Sequence, residues 1–424
     1  MKFRWEMEFK ETEIGEIPKD WEIYSLSEVV EGAIVGSTPL KRISKYWANG
    51  KIPWLTNKEV EYGKINYIEN TEEKVNIIAL EETNLRLVPP NSLIISFTAS
   101  VGKVGINKVP ITTNQQFISF VLKTIPDTVK YLGYFFLLNR ELIESFSGAT
   151  PFSFVTKEKA LQIPIIYPPL TEQSRINTVL SYFDDLIEVK RRQNEILEKT
   201  AMAIFKSWFI DFEPFRACPE RERGNYEFVY NEELGREIPK GWEVKKIDDV
   251  AEVIMGQSPP SKFYNEEGIG IPFIQGKGQL GKYTPESTVF CSCDGKLVKL
   301  YDVLITVRAP VGELNLADKE YIIGRGIAAI RSIYWAFLYI YLISNKDLLK
   351  SFEKGTTYDA ITKEDLENFL ILFSPPHILQ KFHSLVEPFF QKIILNQKQI
   401  MTLRQIRDTL LPLLVFGKLR VEEI

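Results

Sequence analysis

The chain has 424 residues, 45% hydrophobic and 25% charged, with 52 Lys and Arg against 56 Asp and Glu and a net charge of −4. This is the mixture of an ordinary soluble protein long enough for two or three domains; no stretch has the apolar length of a membrane span and MKFRWEMEFK lacks the apolar core of a signal peptide, so a cytoplasmic protein is expected. The acidic balance excludes a broadly basic nucleic-acid surface and leaves room only for local ones, while three Cys and two His are too few for a disulfide framework or a zinc site, so reduced thiols and no metal are expected.

In chain order, the first element to stand out is the hexamer IPKDWE, Ile17–Glu22, because it returns as IPKGWE at Ile238–Glu243. Its leader FKETEIGEIPKDWE (Phe9–Glu22) resembles YNEELGREIPKGWE (Tyr230–Glu243). GSTP (Gly36–Pro39) then answers to GQSP (Gly256–Pro259), and KIPWL (Lys51–Leu55) to GIPFI (Gly270–Ile274). SLIISFTASVGKVGI (Ser92–Ile106) matches DVLITVRAPVGELNL (Asp302–Leu316), each an apolar strand-like run, a turn of small residues and a second run opened by Val-Gly. One helical segment follows in each copy, Tyr131–Phe146 and Phe337–Phe352. SGATPFSFVTKEKALQIPIIYPPL (Ser147–Leu170) finally matches KGTTYDAITKEDLENFLILFSPPH (Lys354–His377), so both copies close on Pro-Pro. Short β-type runs with one helical segment predict an α+β domain, present twice.

Behind each Pro-Pro lies a segment of another kind. Thr171 to Phe209 contains neither Pro nor Gly, and apolar positions alternate in steps of four and three: Ile176, Leu180, Phe183, Ile187, then Lys190 and Asn194, then Leu197, Ala201, Ile204 and Trp208. The same spacing 206 residues later gives Phe382, Val386, Phe389, Ile393, Asn396, Ile400, Leu403, Arg407, Leu410 and Leu414. A seam of this length predicts a rod of roughly 58 Å. Two such rods pack most simply as an antiparallel coiled-coil pair with pseudo-twofold symmetry between the domains. Pro388, where the first copy has Tyr182, predicts a bend or a locally missing hydrogen bond. Lys190, Asn194 and Asn396 are expected to fix register, so that Asn396→Leu would leave stability flat or raise it. The resulting boundaries are a first domain over 1–170, a helix over 171–210, a linker over 211–234, a second domain over 235–376 and a second helix over 377–424.

Motifs for chemistry are sparse. GKGQLG, Gly276–Gly281, satisfies G-x-G-x-x-G, but KYTPES follows it without helical period, which reads as a turn rather than a cofactor loop. There is no phosphate-binding G-x-x-x-x-G-K-[ST], and no Pro-Pro is set between Asn or Asp and an aromatic as an adenine-methylating loop requires. The carboxylates read as solvated faces and His377 and His383 as capping or surface residues, so neither a catalytic residue nor a cofactor is expected.

Taken together, the paired IPKDWE/IPKGWE openings, GSTP with YWANGKIPWL behind it, TNQQF, the SGAT and KGTT segments, AIFKSWFIDFEP (Ala203–Pro214) and LLPLLVFGKLR (Leu410–Arg420) resemble the specificity (S) subunits of Type I restriction-modification systems. The resemblance implies two target-recognition domains, each reading half of a split, asymmetric double-stranded DNA sequence. It also implies helices that act as spacer and as docking site for methylation subunits, two of them, and restriction subunits that join through the complex. Carried onto exposed polar and basic loop positions, it points to Thr38, Lys41, Arg42, Lys58, Ser100, Lys103, Gln115, Gln116, Ser258, Lys262, Lys277, Arg308 and Arg325 as DNA-facing. With Val101-Gly102 set on Val311-Gly312, Gln115 falls opposite Arg325, so the repeat changes chemistry there: the amide suits adenine and the guanidinium guanine, unless both merely brace the neighbouring turn. Two other readings stay open at this point, a coiled-coil adaptor that binds only protein and a hydrolase working with paired carboxylates.

Overall fold

The computed structural model describes residues 2–98, 100–123, 126–146, 155–216, 226–351 and 360–423. It divides into two units, residues 1–187 with 402–424, and residues 188–401. The SGAT and KGTT segments and Cys218 lie outside the described residues.

In the first unit a five-stranded sheet runs in the order Val30–Val35, Phe117–Leu122, Leu93–Ser96, Val104–Asn107, Ile65–Ile68, antiparallel except for the last pair. Its central strand, LIIS, is buried at every position because both faces are covered. Leu93 and Ile95 face the core that includes Tyr131, Leu132 and Phe135 of the helix Pro126–Leu138, whereas Ile94 faces a smaller cluster with Leu55, Val88 and Phe117. The second unit repeats this with the sheet Glu252–Met255, Ile327–Arg331, Val303–Thr306, Leu314–Leu316. There Val303 and Ile305 meet Phe337 and Ile340 of the helix Trp335–Ser344 on one face, and Leu304 meets Ile274 and Ile323 on the other. Period-two alternation in an unbroken apolar run thus serves two cores at once.

Each single helix expected over Tyr131–Phe146 and Phe337–Phe352 is instead two, Pro126–Leu138 with Arg140–Ser145 and Trp335–Ser344 with Lys346–Ser351. The cause is the same asparagine in both copies. The side-chain amide of Asn139 donates to the Phe135 carbonyl at 2.8 Å, and that of Asn345 to the Tyr341 carbonyl at 2.8 Å, satisfying a terminal acceptor and letting the chain change direction.

The repeated hexamer is an anchor. Ile17, Trp21, Ile238 and Trp242 are all buried, and each tryptophan closes a turn by donating its backbone N–H to the proline carbonyl three residues back, at 3.0 Å for Trp21 and 3.1 Å for Trp242. The changed residue lies outside that core: Gly241 takes a left-handed φ of 87° that favours glycine, while Asp20 accepts from Arg420 at 3.0 Å.

The long helices run over Leu170–Phe205 and Pro376–Val415. Pairing is antiparallel within each unit: Lys190 meets Gln399 at 2.6 Å and Asn194 meets Asn396 at 2.8 Å in the second, and Asp184 meets Arg407 at 2.8 Å in the first. Among the seam positions Ile176, Leu180, Ile187, Phe382, Val386, Ile393, Ile400 and Leu414 are buried, and Phe183, Leu197, Phe389, Leu403 and Leu410 half-buried. At the end of the first helix the expected stripe needs correcting, since Ile204 and Trp208 are half-buried while Phe205 and Phe209 are fully buried. The wider π turn Lys206–Ile210 follows there, and Phe205 and Phe209 stack at 5.2 Å in an aromatic core with Phe337 and Phe382. Pro388 stays inside a helix that continues through it, and having no N–H it cannot donate to the Ser384 carbonyl.

Two further expectations change. The stretch expected as a linker packs where it is described: Phe212 and Phe215 are buried against Trp242, and Phe228–Asn231 pairs with Arg236–Pro239. Its aromatic residues outweigh its charges. The second helix does not reach the C-terminus but ends at Val415, because Leu419–Glu423 forms a strand with Lys2–Trp5. Arg420 holds that closure, pairing with Glu6 at 2.9 Å and Glu172 at 3.2 Å. His383 is not a surface residue either; it packs edge-on against Tyr334 and Trp335, whose burial of the ring pushes its pKa down, whereas His377 is exposed.

Candidate nucleic-acid interface

Both units build the same platform from backbone hydrogen bonds. In the first, Ile52–Leu55 and Thr112–Thr113 run parallel, so the loops after both strands, Thr56–Glu59 and Asn114–Gln116, emerge at one edge. Parallel strand ends placed side by side are a common location for recognition loops. The GSTP turn is laid across them: Gly36 donates to the Phe117 carbonyl at 3.0 Å and Ser37 to that of Thr113 at 2.9 Å. The hairpin beyond is tied in by Phe97, which donates to the Gln116 carbonyl at 2.9 Å.

The second unit reproduces every one of these bonds. Ile271–Ile274 and Tyr321–Ile323 are parallel, Gly256 donates to Ile327 at 3.0 Å, Gln257 to Ile323 at 3.0 Å and Val307 to Gly326 at 3.0 Å. The hairpin turns agree as well, with the Ser96 hydroxyl donating to the Ser100 carbonyl and the Thr306 hydroxyl to that of Pro310. Neither turn glycine tolerates a side chain, since an added Cβ would lie 1.9 Å from the Asn114 carbonyl oxygen at Gly36 and 2.1 Å from that of Gly324 at Gly256.

On this platform the candidate residues fall into distinct situations. Thr38 and Gln115 touch directly, the threonine hydroxyl donating to the glutamine Oε1, and Gln116 accepts from the Asn114 amide at 2.9 Å. Lys58 is exposed beside them. Lys41 pairs with Glu73 and lies 3.7 Å from the centre of the Trp47 ring, so its charge is partly engaged, and the exposed Arg42 follows it. Lys103 donates to the Asn57 carbonyl at 2.7 Å, and Ser100 is half-buried in the hairpin turn. In the second unit Ser258 accepts from the Arg325 backbone N–H at 3.2 Å. Lys277 pairs with Glu313 at 3.1 Å; that carboxyl is held below its ordinary value by Lys346 first, against burial, and then by Lys277. Lys262 lies over the Phe263 ring at 4.9 Å, and Arg308 is exposed where its backbone bridges to Ala360. GKGQLG carries only the short turn Lys277–Gln279.

A cleft of about 390 Å³ in the first unit brings the expected Lys58 and Gln116 together with Trp54, Asn57, Glu72 and Asn114, among others, which sequence reasoning missed. Asn114 and Gln116 were legible in TNQQF, but Trp54 and Asn57 join them only through the parallel pairing of strands far apart in the chain. Among the described residues no group of His, Cys, Asp and Glu is arranged to hold a metal, and no helix is long and apolar enough to cross a membrane.

This duplicated platform has counterparts. The chain is 42% identical to the Type I restriction enzyme MjaIX specificity subunit of Methanocaldococcus jannaschii, over 100% of this chain and 99% of that one. It is 24% identical to the MjaVIII specificity subunit of the same organism, with the same coverage. The crystal structure of a Type I restriction-modification system S subunit from M. genitalium shares the fold with a TM-score of 0.59 at 17% identity, covering 93% of this chain and 96% of that one. The Type I restriction modification DNA specificity domain matches twice, over residues 18–199 and 239–405, one match for each copy of the repeat found in the sequence and of the platform found in the structure. The chain therefore belongs to the Type I restriction-modification DNA specificity family.

Proposed function

We propose that the chain is the non-catalytic, sequence-reading subunit of a Type I restriction-modification enzyme, each unit reading one half of a bipartite, asymmetric target in double-stranded DNA. The paired long helices serve as spacer and as docking site for two methylation subunits, with restriction subunits joining through that complex in the cytoplasm. What carries this reading is a scaffold conserved bond for bond between the units with different side chains at its tips, the arrangement of a reader that must hold two sequences in one frame. The exposed candidates Arg42, Lys58, Lys262 and Arg308 supply local positive charge on a chain whose net charge is −4. Thr38 with Gln115, Gln116, and Ser258 with Arg325 are the proposed base-facing set, bonded as described above, with Lys41, Ser100, Lys103 and Lys277 as further DNA-facing candidates.

The test is to assemble the chain with its methylation subunits and map adenine methylation on random DNA. A single bipartite sequence with two defined halves is expected. Methylation without sequence preference, or a complex indifferent to DNA, would overturn the reading.

A further inference from the structure

Within the second platform one side chain is set apart. Gly324 donates its N–H to the Ile274 carbonyl at 2.8 Å, the Arg325 N–H reaches the Ser258 hydroxyl at 3.2 Å, and the Gly326 carbonyl accepts from Val307 at 3.0 Å. The three residues are thus fixed through their backbone. Nor can the two glycines flanking Arg325 grow, because a Cβ on Gly324 would lie 2.9 Å from Phe273 Cζ and one on Gly326 2.3 Å from the Gln275 carbonyl oxygen. Arg325 is the exposed residue of this stretch, between the buried strand end Tyr321–Ile323 and the buried strand Ile327–Arg331. Its guanidinium makes no hydrogen bond or ion pair with the described residues. Structural cations here behave otherwise: Arg331 pairs with Asp302 at 2.7 Å and Lys277 with Glu313 at 3.1 Å.

We propose that Arg325 is a specificity-determining residue whose guanidinium reads a guanine in the half-site of the second unit, while Gln115 holds the matching place in the first unit with an amide suited to adenine. This rests on the DNA-reading function proposed above and deepens it. A planar fork of donors matches O6 and N7 of guanine in the major groove, and a side-chain amide matches N6 and N7 of adenine. Flanking glycines give Arg325 no shoulders, so base edges can approach the backbone closely. Its fixed pedestal limits the ordering needed on binding to the side chain alone. Gln115 is equally exposed at the matching position, and the Thr38 hydroxyl donates to its Oε1, orienting the amide while one lone pair and both N–H groups remain for a base.

The experiment maps adenine methylation by the assembled methyltransferase carrying Arg325→Gln or Arg325→Lys. Base reading predicts that both variants relax preference at one position of one half-site by roughly ten- to hundredfold, with the other half-site unchanged. A phosphate contact predicts instead that Arg325→Lys behaves as the parent and that Arg325→Gln weakens all sequences alike with a shallower salt dependence, which would overturn the proposal. So would unaltered specificity in both variants, or unfolding of both, which would make Arg325 a brace. If the parent complex itself shows no sequence preference, it is the DNA-reading function that fails, an outcome visible before any variant is compared.

Discussion

The two platforms differ where their backbones agree. In the first unit Asn57, Asn114 and Gln116 line a cleft beside Trp54, whereas the aligned positions of the second are Gly276, Gly324 and Gly326, with Phe273 for Trp54. One unit offers amides and an aromatic wall; the other strips its loops to glycine around Lys277 and Arg325. The shared hydrogen bonds use main-chain atoms and turn hydroxyls, so these substitutions leave the scaffold intact. A duplicated fold can therefore change what it touches without changing how it stands, since loop tips carry few of the contacts that hold the core.

The hardest blow to that comparison is a substitution on the shared scaffold. Gly256→Ala drives a Cβ to 2.1 Å from the Gly324 carbonyl oxygen and 2.6 Å from that of Ile327, and overpacking against backbone should cost about 3 kcal/mol. Denaturant unfolding should resolve an early transition of the second unit, and methylation mapping should show its half-site lost with the other retained. Full stability in Gly256→Ala would mean that the turn is not the common foundation.

The helix pairs offer a second contrast, an amide layer in one unit and an ion pair in the other. Asn194 and Asn396 are wholly buried and bonded to each other, so the expectation that Asn396→Leu is harmless no longer stands. Removing one partner strands the other, at about 1–3 kcal/mol, while replacing both by leucine removes the penalty. Melting curves of the single and double variants measure this, and a double variant no more stable than the single would show that the Asn194–Asn396 bond is not what the single variant loses. In the first unit the same seam is crossed by Arg407, whose three-way engagement with Asp184, Asp408 and the Gly63 carbonyl cannot be traded for leucine so simply.

The smallest effect sharpens the contrast between the two hexamers. Hydrogen bonding to Arg420 holds the Asp20 carboxyl below its ordinary 3.8, and Glu6, though raised by burial, is brought below its own value by the Met7 and Glu8 N–H groups and Arg420. A lowered folded pKa stabilises fully above the unfolded value and is lost as pH falls through the folded one, so the first unit should weaken below about pH 4. At Gly241 the second unit has no such carboxylate. Because Asp20 is half exposed, Asp20→Asn should cost about 0.2–1 kcal/mol at neutral pH and flatten the acid limb of the stability curve. An unchanged acid limb would remove Asp20 from the account.

By itself the sequence determined whatever rests on local periodicity or on repetition. The two copies, their strand-like runs, the anchoring hexamer and both long helices could be read because apolar spacing directly records which face is buried. Even Gln115 against Arg325 was visible, as a break in an otherwise regular alignment. Tertiary structure alone decided what depends on partners distant in the chain. Asn139 and Asn345 look like ordinary helix residues until their amides are seen to cap the turn before them. The aromatic residues Phe212 and Phe215 read as linker because their partner Trp242 lies beyond the next strand. The C-terminal strand found Lys2–Trp5 at the opposite end of the sequence, and a single polar residue in a seam could not disclose the other asparagine that bonds to it. Local pattern encodes the direction in which a side chain points; only the folded chain determines what it meets there.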